Sequence, residues 1–271
     1  MSVAVNKGTA LVTGASSGIG ATYADRLAQR GHNLVLVARD EKRLRELAAR
    51  LGAQYGVKID VVRADLTSKQ DLRAVEKRLR EDDAIELLVN NAGIGPKGPL
   101  LNDDSDYLDT MIDLNVVAVN RLAVAAAQTF AQRGRGAIIN IASVVALIPE
   151  RFNGTYSASK AFVLNLTQAI NAEVADKGVK VQAVLPGLTR TEIFERAGVS
   201  SSRFDPSMVM DVTDMVDAAL AGFDQGELIT VPSLPDARNW QAFFEARMVL
   251  APNLSHDRPA ERYGVRPAAA V

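Results

Sequence analysis

Residues 9–20 read Thr9-Ala10-Leu11-Val12-Thr13-Gly14-Ala15-Ser16-Ser17-Gly18-Ile19-Gly20. A short β-rich run, Thr9 to Thr13, passes directly into a turn holding three glycines. An Ala- and Leu-rich helical segment follows and ends near Gly31. Glycine in such a turn has a physical reason. A tight turn needs positive φ, and a backbone that must approach a pyrophosphate closely has no room for a Cβ. The helix behind the turn points free N–H groups and a favourable dipole at the phosphates. Ser16 and Ser17 can add hydroxyl donors. The spacing is G-x-x-x-G-x-G rather than the commoner G-x-G-x-x-G, so the position directly after a first strand carries the weight.

Outward from this stretch the pattern alternates. Asn33 to Ala38 is a continuous apolar run, as expected of a strand buried on both faces. Glu41 to Leu51 is a helix with Leu44, Leu47, Ala48 and Leu51 on one side. Lys58 to Arg63 is a strand and Ser68 to Arg80 a helix with Ser68 at its N-cap. Ile85 to Val89 is a strand running into Asn90-Asn91-Ala92-Gly93. Asp106 to Gln132 is one long helix, Ala137 to Ile141 a strand and Thr155 to Lys177 a helix. Val179 to Leu185 is a strand closed by Pro186-Gly187. Asp214 to Gly222 is a helix and Leu228 to Val231 a last short strand. Strands alternating with helices of this length predict an α/β fold, a doubly wound parallel sheet of about seven strands covered on both faces. Such sheets bind ligands at the carboxyl ends of their strands. The whole chain, 1–271, is expected to form a single Rossmann-like domain with its core at about 8–231. After Pro232 the alternation stops, and Asp236 to Leu250 reads as an amphipathic helix within a C-terminal extension, 232–271.

Composition narrows the function classes. The 271 residues are 48% hydrophobic and 23% charged, enough for a sizeable core. A net charge of −1 offers nothing to nucleic acid or to an anionic membrane. There is no cysteine, and the two histidines, His32 and His256, stand far apart without ligand spacing, so no metal site is expected. The start lacks a signal-peptide core, and no stretch approaches about 20 apolar residues, so no membrane span is expected. The expectation is a soluble cytoplasmic protein.

The end of the second strand discriminates between dinucleotides. An acidic side chain there would bond a ribose 2′-OH, whereas an arginine suits a 2′-phosphate. The strand ends at Ala38 and Arg39 follows, with Asp40 one residue later, where it can cap the next helix instead. This favours NADP(H), with NAD(H) possible if Arg39 is an ordinary surface arginine. Farther on, Tyr156-Ser157-Ala158-Ser159-Lys160 opens a helix-periodic run. Tyr156 and Lys160 then share one helical face, and an ammonium beside a phenol lowers its pKa from about 10.

Taken together, these motifs resemble the short-chain dehydrogenases/reductases over about residues 8 to 231. Thr13-Gly14 with Gly18-Ile19-Gly20 looks like the family's cofactor loop, and Asn90-Asn91-Ala92-Gly93 like its structural motif after the fourth strand. Asn115, Ser143, Tyr156 and Lys160 match its catalytic tetrad, and Pro186-Gly187 with Thr191 the segment that holds the nicotinamide amide. The resemblance implies that Tyr156 is the acid in carbonyl reduction and the base in oxidation. Lys160 would bind the nicotinamide ribose and lower the phenol's pKa. Ser143 would bond the substrate oxygen, and Asn115 would support a water linking Lys160 to solvent. Asp65 and the Leu66 backbone would meet the adenine, and Asn91 to Gly93 the adenosine ribose. The chain departs from the family's short acidic-glycine ending, with Leu234-Pro235-Asp236 and a further helix in its place.

Val145, Leu147, Pro149, Phe152, Leu188, Ile193 and Phe194 are candidate walls for the substrate, and 198–206 a lid. The walls are mostly apolar with no evident clamp for a carboxylate; Arg151 and Arg190 could supply one, but both are expected to be exposed. The expected substrate is therefore a small hydrophobic ketone, aldehyde or secondary alcohol. The Ala-rich face of 106–132, with Ala123, Ala125, Ala126 and Ala127, is expected to pair subunits, as such helices do in the family, into a homodimer or homotetramer.

Overall fold

A computed structural model describes residues 7–192 and 205–265. The chain divides into two compact units, Met1–Pro232 and Ser233–Val271.

In the first unit seven parallel strands form one sheet in the order β3-β2-β1-β4-β5-β6-β7. They are β1 Thr9–Thr13, β2 Asn33–Ala38, β3 Ile59–Arg63, β4 Ile85–Asn90, β5 Gly136–Ile141, β6 Val179–Val184 and β7 Ile229–Thr230. β1 is buried along its whole length and pairs with β2 on one side and β4 on the other. Its alternating side chains feed two cores, since neighbours on a strand point to opposite faces. Ala10 and Val12 join Tyr23, Leu27, Leu36, Leu44 and Met215 on one face. Leu11 joins Val35, Leu88, Leu122, Phe130 and Ile138 on the other.

Helices α1 Gly18–Gln29, α2 Glu41–Tyr55 and, later, α7 Val212–Asp224 cover the first face. Helices α3 Lys69–Glu81, α5 Val119–Arg133 and α6 Gly154–Val174 cover the second. Capping sets where several of them start. Ser68 accepts the Asp71 N–H at the head of α3, and Asp40 the Arg43 N–H at the head of α2. Because β1 connects toward β2 while β4 runs to its other side, the chain ends diverge between them. That divergence opens the crevice where doubly wound sheets bind ligands.

The segment expected as one helix over 106–132 is three pieces. α4 Ser105–Ile112 gives way to a π turn, Asp113–Ala118, and then to α5. The cause is Asn115, whose side chain leaves the helix to bond the backbone of Ile94, as described below; an inserted residue of this kind loosens the ladder to i→i+5. By length and composition 105–133 is long and apolar enough to cross a membrane, which the bare sequence did not suggest, but half of its most apolar window is buried within the fold. Ala123, Ala125 and Ala126 are fully buried and Ala127 nearly so, in the core of this same chain. They are spent on internal packing rather than on a subunit face, and this corrects the reason given for expecting an oligomer.

In the second unit α8, Ala237–Met248, is capped by Asp236, which accepts the Arg238 N–H at 2.9 Å. It buries none of its residues, although the Trp240 and Phe243 rings stack obliquely at 5.4 Å.

Candidate active site

At the carboxyl end of β1, Gly14 has φ +64° and Gly18 φ +52°. A Cβ on Gly14 would stand 2.8 Å from Asn91 Nδ2 and 2.9 Å from the Ala92 backbone. One on Gly20 would strike the Gly14 carbonyl and Asn91 Nδ2. The loop is therefore folded back tightly against the end of β4. Thr13 Oγ1 accepts the N–H groups of both Asn91 and Ala92 at 3.0 Å. Asn91 Nδ2 returns the contact by donating to Thr13 O at 2.9 Å and Gly14 O at 3.3 Å. The amide of Asn91 is thus a strut between β1 and β4, a use the expected ribose contact did not include.

A cleft of about 660 Å³ runs along this end of the sheet. Its lining takes in Gly14, Ser16, Ser17, Gly18 and Ile19, then Arg39, Asp65 and Leu66, then Asn91, Ala92 and Gly93, and Thr191. All of these are among the residues that the sequence assigns to a cofactor; Gly20, Pro186, Gly187, Tyr156 and Lys160 of that set do not line the cleft. Arg39 is exposed over the cleft, with its guanidinium 4.0 Å from Asp65. Asp40 also lines the cleft, and its Oδ1 caps α2 by accepting the Arg43 N–H. Burial acts to raise the Asp65 carboxyl. Two bonds from Thr67, at 2.8 and 3.0 Å, and the charges of Arg39 and Arg63 outweigh it and hold the group below the ordinary range. Thr191 packs against Gly18, where an added Cβ would approach it to 3.3 Å. Glu192, which the sequence reading passed over, lines the mouth and pairs with Arg43 at 2.8 Å.

The tetrad converges beyond the inner end of this cleft. Ser143 follows β5 and is buried; its hydroxyl donates to the Pro186 carbonyl at 3.2 Å and accepts the Val145 N–H at 3.4 Å. Lys160, one turn after Tyr156 on α6, is buried, with Nζ 3.1 Å from the Ile141 carbonyl and 5.8 Å from the Tyr156 ring centre. Asn115 on the π turn is fully buried. Its Oδ1 accepts the Ile94 N–H and its Nδ2 donates to the Ile94 carbonyl, both at 2.9 Å, and also to Ser159 Oγ at 3.3 Å. A Cβ on Gly93 would come 3.0 Å from Asn115 Oδ1 and 3.5 Å from Lys160 Nζ, so the glycine leaves a space beside both.

Burial dominates the electrostatics here. It pushes the Tyr156 phenol up to about 12, opposed by the hydrogen bond with Ser143. It pushes the Lys160 ammonium down to about 8. The expected lowering by Lys160 is not seen in this arrangement, where desolvation of the phenolate sets the direction. Ser143 has one proton, given to Pro186 O, and its hydroxyl can turn to another acceptor without moving its backbone.

Residues 8–200 match the family model described as short chain dehydrogenase. The chain belongs to the short-chain dehydrogenases. A solved short-chain dehydrogenase from Sphingobium yanoikuyae, in complex with NADPH, is 50% identical with a TM-score of 0.92, covering 94% of this chain and 99% of that one. A bulky-bulky ketone specific alcohol dehydrogenase from Comamonas testosteroni is 49% identical with a TM-score of 0.88, covering 96% and 99%. An uncharacterized oxidoreductase of Staphylococcus epidermidis is 32% identical over 228 residues, 84% of this chain and 95% of that protein.

Around the tetrad this dehydrogenase carries residues that its motifs do not mark. A buried chain runs from Asn90 Nδ2 to Asn140 Oδ1 at 3.0 Å, and from Asn140 Nδ2 to Thr167 Oγ1 at 3.0 Å. It joins β4, β5 and α6 beneath the catalytic groups. Asparagines ending two apolar strands were the available signal. Of the expected walls, Val145 is buried, Leu147 and Leu188 are half-buried, and Pro149 and Phe152 are exposed. Arg151 and Arg190 are exposed. Ile193, Phe194 and nearly all of the lid at 198–206 lie outside the described residues.

Proposed function

We propose that this dehydrogenase transfers a hydride between NADP(H) and a bulky hydrophobic ketone or the corresponding secondary alcohol. The observation that carries the reading is that Gly93, in the lining of the cleft, stands beside Asn115 and buried Lys160, with Tyr156 one turn before that lysine on α6 and Arg39 exposed at the same cleft. The residues fit a dinucleotide. Gly14 and Gly18 adopt backbone angles that keep the loop low, and the head of α1 offers N–H groups to a pyrophosphate. Arg39 would take a 2′-phosphate and Asp65 the adenine edge. Gly187 and Thr191 would take the nicotinamide amide. The bound nicotinamide supplies the hydride.

The chain supplies the proton and the orientation. A phenol at about 12 is fully protonated at neutral pH, the form that reduction needs. Tyr156 Oη gives its proton to the carbonyl oxygen, and the Ser143 hydroxyl turns to donate to the same oxygen as charge develops. Lys160, close to its own midpoint near neutrality, is placed to return a proton toward Tyr156. The apolar walls Val145, Leu147 and Leu188, and the ketone named for the Comamonas relative, support a hydrophobic substrate. The proposal extends to a homo-oligomer, which light scattering of the purified chain tests; a monomer at working concentration removes that part.

The deciding experiment is a kinetic comparison of NADPH and NADH across ketones graded in bulk. Faster turnover with NADPH, and with ketones flanked by two large groups, is the expected result. Tight NADPH binding with no carbonyl turned over would leave a sensor instead of an enzyme.

A further inference from the structure

Asn153 immediately precedes α6 and is buried, although Phe152 before it is exposed. Its amide is used at both ends. Oδ1 accepts the backbone N–H of Tyr156 at 3.2 Å. Nδ2 donates to the Gly98 carbonyl at 3.0 Å and to Asp103 Oδ2 at 2.8 Å. The backbone of Tyr156 is therefore gripped at both of its polar groups, because its carbonyl accepts from Ser159 Oγ at 2.7 Å. Ser159 in turn is held by Asn115.

The segment between β4 and α4 is fastened by the same two asparagines. Asn115 holds Ile94, at the cleft end. Asn153 holds Gly98 and Asp103, at the other. Between them Tyr107 donates to the Gly95 carbonyl at 2.7 Å. Leu100 lies directly on the head of α6, since a Cβ on Gly154 would come 3.1 Å from its Cδ2. A wall of the cleft and the start of the catalytic helix are thus one fastened piece.

We infer that Asn153 is a positioning residue, which sets the placement of the Tyr156 phenol against Ser143 by locking the 94–104 segment to the first turn of α6. The side-chain chemistry narrows the choice to asparagine. Serine would cap the helix but not reach Gly98 or Asp103. Aspartate would cap it but would lose both donated bonds and set a second carboxylate against Asp103. An acid misplaced by a fraction of an ångström loses rate without losing cofactor affinity.

The inference rests on the proposed activity, and the test separates the two. Wild type, Asn153→Asp, Asn153→Ser and the double variant Asp103→Asn/Asn153→Asp are compared for kcat with a bulky ketone, for the pH profile of kcat and for the Kd of NADPH. The double variant reverses donor and acceptor across the pair while keeping an aspartate cap. Asn153→Asp should lower kcat about 10- to 100-fold, with the Kd of NADPH within about threefold of wild type. It should also displace the acidic limb of the pH profile, since a proton shared between the two carboxylates restores the tie. Asn153→Ser should lose less, and the double variant should recover most of the rate. A wild type that turns over no ketone overturns the proposed activity. An active wild type overturns the positioning role if Asn153→Asp keeps kcat within twofold, if kcat and NADPH affinity fall together, or if the double variant fails to recover.

Discussion

The two ends of the cleft solve different physical problems. The outer end, with Arg39, Asp65 and the glycine loop, works close to solvent. Arg39 is mostly exposed, and the walls near it are backbone that glycine keeps low. Charges there are screened, so recognition depends on shape and on modest, salt-sensitive attraction. The group beyond the inner end, with buried Ser143 and Lys160 and half-buried Tyr156, is largely withdrawn from water. Desolvation moves the phenol to about 12 and the ammonium to about 8. Under the proposed function one end holds the ligand and the other makes proton transfer sensitive to geometry. A substitution should therefore change affinity at the outer end and rate at the inner end.

Tyr156→Phe tests that division most severely. The ring and its packing stay while the proton goes, so kcat should fall by about 1,000-fold or more, and NADPH titration should give nearly the wild-type Kd. Turnover near the wild-type rate would break the assignment of the acid.

Lys160→Met tests the burial at the inner end through stability. The folded ammonium titrates near 8 and the unfolded one near 10.5. Between those values the unfolded chain holds more protons, so this group makes stability rise with pH across that window. Below pH 8 the folded protein bears the full cost of burying the charge, about 3 kcal/mol. The lost bond to the Ile141 carbonyl offsets about 1 kcal/mol. The variant should thus be inactive yet more stable by about 2 kcal/mol in urea at pH 7, with the difference shrinking toward pH 10.5. A variant less stable than wild type at pH 7 would show that the lysine is better satisfied than its burial implies. Tyr156 acts in the window above, with the opposite sign: its raised pKa favours the folded state below pH 10, and that contribution is lost as pH climbs to about 12.

Arg39→Ala probes the outer end. It should weaken NADPH about 10-fold, leave NADH within about twofold, and remove part of the salt dependence of NADPH binding. Equal losses for both dinucleotides would move the 2′-phosphate contact to another residue. Asp40→Ala is expected to be the mildest. It removes the α2 cap, at a cost of about 1 kcal/mol in denaturant midpoint analysis, without altering the ratio of NADPH to NADH affinity. A change in that ratio would return Asp40 to the binding site.

The strands were legible because most are short apolar runs bounded by glycine, asparagine or proline, and all seven stand within a residue of where the pattern placed them. The glycine loop was legible for the same reason that it works, since Gly14 and Gly18 occupy angles that other residues avoid. The broken helix was not. Periodicity across 105–133 is nearly continuous, and nothing local marks Asn115 as the residue that leaves the ladder. Its partner, Ile94, lies 21 positions away. The alanines misled because a small residue suits a close helix–sheet contact within one chain as well as a contact between chains; only their burial at Ala123, Ala125 and Ala126 separates the two.

By itself the sequence determined the doubly wound sheet, the place of the glycine loop and the arginine at the end of β2. These are carried by residue type and spacing along the chain, which local sterics and periodicity translate directly into structure. Only the tertiary structure decided that Asp40 is a cap, that Asn91 is a strut and that desolvation raises the Tyr156 phenol. It also decided that Asn153 grips both Tyr156 and Asp103. Each of these turns on which distant groups meet, and how far water is excluded when they do. Hydrogen bonding and desolvation depend on that three-dimensional neighbourhood rather than on order in the chain.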